Sequence, residues 1–72
     1  MATKEVMENK DYDLVSVLYH VLQGAETAQH YQQDAEREGD QEVAQYFQKA
    51  HENYQQLADQ AKSLLASRIS KR

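Results

Sequence analysis

Seventy-two residues with no cysteine, no proline and a formal net charge of −4 describe one small domain that no disulfide can brace. Such a chain buries too small a share of its surface to be comfortably stable alone, and without disulfides it needs a metal or a partner chain. Glycine appears only at Gly24 and Gly39 and glutamine ten times, which excludes most strand and loop architectures and favours helix almost throughout.

Residues 1–10 are polar apart from Val6 and Met7 and read as a flexible or frayed lead-in. Asp11 is the favoured cap of a first helix, because an aspartate side chain accepts a backbone N–H two or three residues on. From Leu14 the apolar positions step by four and three through Leu18, Val21, Ala25, Ala28, Gln32 and Ala35. That spacing keeps one stripe on a helix predicted over residues 11–38. Gly39 suits the left-handed position that ends a helix and Asp40 the cap of the next.

The second helix is predicted over 41–69, with a tail at 70–72. Its ladder is Val43, Phe47, Ala50, Tyr54, Leu57, Ala61, Leu64 and Arg68, beside a parallel row of Ala44, His51, Ala58 and Leu65. So short a connection forces antiparallel neighbours. The expected fold is all-α, an antiparallel two-helix hairpin.

The apolar arc is wider than one seam needs, since helix 1 adds Tyr12, Val15, Val17, Tyr19 and Leu22 around its ladder. A lone hairpin would leave that arc in water. We therefore expect an obligate homodimer, two hairpins completing a four-helix bundle, with Leu14, Leu18, Val21, Leu22, Ala25, Phe47, Tyr54, Leu57 and Leu64 at the interface.

Charge is uneven. Residues 1–40 carry three Lys/Arg against nine Asp/Glu, and residues 41–72 carry five against three, so the halves are −6 and +2. An antiparallel hairpin lays the basic end (Arg68, Lys71, Arg72) beside the acidic start of helix 1 (Asp11, Asp13), and acids at a helix N-terminus with bases at a C-terminus also suit the helix dipole. Five basic residues spread along helix 2 make a poor phosphate stripe, so nucleic acid is not an expected partner. No signal-peptide pattern or membrane-length apolar run is present, and a soluble cytoplasmic protein without membrane contact is the expectation.

The ionisable residues nearest the seam are Glu26, His30 and His51. Glu26 and His30 are four apart on one face, a spacing that can chelate iron or zinc. A solvated Glu-His pair, and a partly buried, hydrogen-bonded His51, are the plainer readings. Gly24 in mid-helix costs up to ~1 kcal/mol relative to alanine, which close packing against a neighbouring helix would explain. No glutamate has a histidine three residues on, and no Ser/His/Asp set or phosphate loop is present, so no catalytic residue is assigned and no enzyme is expected.

Leu14-Val15-Ser16-Val17-Leu18, then Glu26 five residues before Tyr31-Gln32-Gln33, then Gly39-Asp40-Gln41-Glu42 at the turn, give Leu14 to about Leu65 a family look. The stretch resembles the two-helix half-bundles of the ferritin-like superfamily, closest to the short encapsulated-ferritin type, and small bacterial proteins share the look. The resemblance implies a hairpin that dimerises into a four-helix unit, with Glu26 at the position of a metal-binding glutamate. Its Glu-x-x-His would fall on Tyr54 and Leu57, so the resemblance implies the fold and the dimer without ferroxidase activity. Ser-Arg-Ile-Ser-Lys-Arg at the end does not resemble an encapsulin-docking peptide. The function expected is a non-enzymatic, self-associating scaffold or interaction module with no cofactor, open to a further protein partner. The alternative is a metal-binding ferritin-like protein with iron or zinc held at the dimer interface by Glu26, His30 and His51.

Overall fold

The computed structural model describes residues 8–70 and holds two α-helices, α1 (Asn9–Arg37) and α2 (Gln41–Ser70), packed side by side and antiparallel, with no strand among the described residues. Residues 1–7 of the lead-in expected over 1–10, and Lys71 and Arg72 of the expected tail, lie outside the described residues. At 1.5 Å per residue each helix is roughly 45 Å long, and the molecule is only 11 Å across its thinnest dimension. One layer of helices has no second layer to cover either of its broad faces.

The turn is built by two residues. Gly39 has φ +78°, and the Gly39 N–H reaches the Glu36 carbonyl (3.1 Å) while the Asp40 N–H reaches the Ala35 carbonyl (2.9 Å). These paired bonds absorb carbonyls that the last turn of α1 leaves open, and glycine takes the left-handed backbone without a Cβ penalty. Asp40 then opens α2. Its Oδ1 accepts the Val43 N–H at 3.1 Å and its carbonyl the Ala44 N–H at 3.0 Å.

The start of α1 differs from expectation. The helix begins at Asn9, and Glu8 stands at the cap position with no side-chain hydrogen bond. Asp11 is already the third helical residue. It lies one step before Leu14 on the apolar ladder, so it points into the seam, where it is 9% exposed and faces Arg68.

In α1 the buried and half-buried positions are Asp11, Leu14, Leu18, Val21, Gly24, Ala25, Ala28, Gln32 and Ala35, the ladder read from the sequence with Asp11 and Gly24 added. In α2 the stripe is turned. Ala44, Ala58 and Ala61 are buried and Phe47, Ala50, His51 and Leu65 half-buried, while Val43, Leu57 and Leu64 of the expected ladder are exposed. The inner row is the alanine-bearing one. Alanines at 25, 28 and 35 of α1 and at 44, 58 and 61 of α2 are buried along the seam, small side chains that let the backbones approach more closely than leucines would.

Candidate functional site: an uncovered apolar face

Pairs between the helices fix the level at which each residue of α1 meets α2. Arg68 Nε lies 3.4 Å from Asp11 Oδ1 at the open end. Nearer the middle, His51 donates from Nδ1 to the Ala25 carbonyl at 2.7 Å. The Tyr54 ring covers Gly24, where a Cβ would stand 2.9 Å from Cε1 and Cζ. Toward the turn, Tyr31 and Phe47 meet edge to face with ring centres 5.5 Å apart, and Tyr46 meets Phe47 in the same way at 5.8 Å.

These pairs also show which flanks share a side. Gly24, Thr27 and Tyr31 of α1 and Tyr46, Ala50 and Tyr54 of α2 line one groove of about 310 Å³. Tyr31, Val43 and Phe47 continue that surface toward the turn, and seven-residue steps extend it through Val17 on α1 and through Leu57 and Leu64 on α2. Along the row Val43, Ala50, Leu57 and Leu64 α2 carries no charged residue, and Asp59 shares a hollow with Leu64 at the margin of that row. By helical spacing the opposite side carries Gln48, Glu52, Gln55 and Lys62 on α2 and the exposed Tyr12, Val15, Tyr19 and Leu22 on α1.

Among the nine residues expected at a dimer interface, the hairpin's own seam takes up Val21 and Ala25 completely and Leu14, Leu18 and Phe47 in part. Tyr54, Leu57 and Leu64 lie on the uncovered face, Leu57 being 49% and Leu64 51% exposed. Leu22 is exposed on the other side. Val17, Tyr31, Val43 and Tyr46 belong to the uncovered face although none was assigned to the interface. For Val17, Tyr31 and Val43 the signal was present in the seven-residue rows Val17-Gly24-Tyr31 and Val43-Ala50-Leu57-Leu64.

Glu26 and His30 are exposed on α1, whereas His51 is half-buried in the seam with Nδ1 engaged by Ala25. Among the described residues of one chain no three His, Cys, Asp or Glu side chains gather in a metal-binding group. No described helix is long and apolar enough to cross a membrane.

The fold and face together define a class, an antiparallel α-helical hairpin with an apolar side left open. No protein-family model, curated protein or solved structure matches the chain.

Proposed function

We propose that this chain is a non-enzymatic, self-associating helical scaffold that works in the cytoplasm, two hairpins stacking into a four-helix bundle of the ferritin-like kind. The observation that carries the reading is an inversion of side-chain size. Six of the seven buried apolar residues are alanines, and Val21 is the seventh. The large apolar groups stand outside, with Tyr31, Val43, Tyr46, Leu57 and Leu64 sharing one side. Folding ordinarily sorts leucine and valine inward, and a monomer rarely keeps a contiguous apolar patch beyond a few hundred Å². A surface of this kind is stabilised by covering it with a like surface.

Native mass spectrometry and sedimentation at micromolar concentration test the proposal. The expected species is a dimer, and Leu57→Asp or Leu64→Asp, both at exposed positions, shifts it to monomer that has lost most of its helix. A wild-type chain that is monomeric and fully helical overturns the proposal. Repeating the measurement with Fe(II) and Zn(II) separates the metal reading, in which dimers would form only with stoichiometric metal and a Glu26→Ala variant would lose it.

A further inference from the structure

Resting on that self-association, the geometry points to one arrangement of the two copies. The α2 helices lie antiparallel to each other, as do the α1 helices, about a two-fold axis perpendicular to the rod at the level of Gly24 and Tyr54. Each hairpin places Leu57 in the groove of the other.

The first support is that both rows on the uncovered face are symmetric about the same level. On α1 the row Val17-Gly24-Tyr31 is centred on Gly24, and on α2 the row Val43-Ala50-Leu57-Leu64 is centred between Asn53 and Tyr54. The Tyr54 ring packed on Gly24 puts these two centres side by side. A two-fold axis there reverses each row onto itself, setting Val43 opposite Leu64, Ala50 opposite Leu57 and Val17 opposite Tyr31. An isologous interface requires such self-complementarity.

The second is the groove of about 310 Å³ between Gly24, Tyr31, Tyr46, Ala50 and Tyr54. It flanks Ala50, the position to which the axis brings Leu57 of the second copy. A small residue thus meets a large one, twice by symmetry.

Charge supplies the third. Residues 34–42 hold Asp34, Glu36, Glu38, Asp40 and Glu42 against Arg37, five negative and one positive, for −4 at the turn. An axis along the rod would set two such turns together. The perpendicular axis holds them a rod length apart, roughly 45 Å by helix rise and several Debye lengths of ~8 Å at physiological salt. At the middle of the face the rows Val17-Gly24-Tyr31 and Val43-Ala50-Leu57-Leu64 carry no charged residue to bury against the copy.

Cysteine cross-linking of the full chain under mild oxidation tests the arrangement, since the sequence has no cysteine of its own. Asn53→Cys sits beside the axis and is expected to form a disulfide-linked dimer. Val43→Cys alone and Leu64→Cys alone should stay unlinked, because equivalent positions are about 31 Å apart along the rod. An equimolar mixture of those two should link. A reduced protein that sediments as a dimer, but whose mixture does not link or whose Val43→Cys links to itself, overturns this arrangement and leaves self-association standing. Self-linking of Gln55→Cys, on the opposite side of α2, does the same. A reduced protein that stays monomeric at micromolar concentration overturns both.

Discussion

The ring of Tyr54 lies flat against Gly24, with Cε1 and Cζ only 2.9 Å from the place a Cβ would occupy. The glycine therefore has a reason that helix propensity alone would not supply: the ring uses the space. Gly24→Ala should cost stability or be near neutral in the wild type, where the ring must swing away. With Tyr54→Ala already present the same change should stabilise by ~0.5–1 kcal/mol, the ordinary gain of alanine over glycine in a helix. A double-mutant cycle by urea unfolding reads the coupling, and additive effects would show that ring and glycine are independent.

Asp11 and Arg68 are unequal partners. Asp11 Oδ1 is buried without a hydrogen bond, and Arg68 Nε lies 3.4 Å away at a half-exposed position. Removing the arginine leaves a buried carboxylate uncompensated, whereas removing the aspartate leaves a cation that can turn to water. Arg68→Ala should destabilise by about 1–2 kcal/mol and Asp11→Ala by less than about 1 kcal/mol. Equal losses in thermal melts would contradict this asymmetry.

The turn concentrates stability in two residues. Asp40→Ala removes the acceptor for the Val43 N–H and should cost about 1 kcal/mol. Gly39→Ala meets no neighbouring atom, so its cost of about 1–2 kcal/mol comes from the left-handed backbone alone. Gly39→Asn, which tolerates that conformation better, should recover part of it, as chemical denaturation would record.

Leu18 and Phe47 are half-buried along the seam. Leu18→Asp or Phe47→Asp should yield unfolded monomer, because an unpaired charge there costs several kcal/mol in a structure with little to spare. Circular dichroism with sedimentation is the check, and a folded, soluble monomer in either variant would refute an obligate oligomer.

Helix 1 and the turn were legible in the sequence because their signals do not compete. The ladder from Leu14 to Ala35 is the only apolar row long enough to make a seam, and Gly39-Asp40 joins a helix stop to a helix start. Helix 2 was less legible because it offers two neighbouring rows. Hydropathy ranks Val43, Ala50, Leu57 and Leu64 above Ala44, His51, Ala58 and Leu65, yet the hairpin packs the second row inward. Composition ranks residues by their wish to leave water and does not say which neighbour receives them. Small residues win the contact that needs short distance, and large ones are left for a more distant surface. Asp11 was misplaced for a related reason: a carboxylate near a helix start suits a cap, but its three-residue step to Leu14 already set it on the ladder. The uncovered face became visible only once Tyr31 and Phe47, and Gly24 and Tyr54, were seen to meet.

The pairing of residues across the hairpin also orders the events by which it forms. Tyr31 and Phe47 close a loop of 16 residues, Ala25 and His51 one of 26, and Asp11 and Arg68 one of 57. Loop-closure entropy grows with each step, so the structure zips outward from Gly39-Asp40 and frays in the reverse order. Amide exchange should follow that gradient, slowest beside the aromatic pair and fastest near Asn9 and Ile69. The Asp11–Arg68 pair then acts as a clasp at the end that opens first.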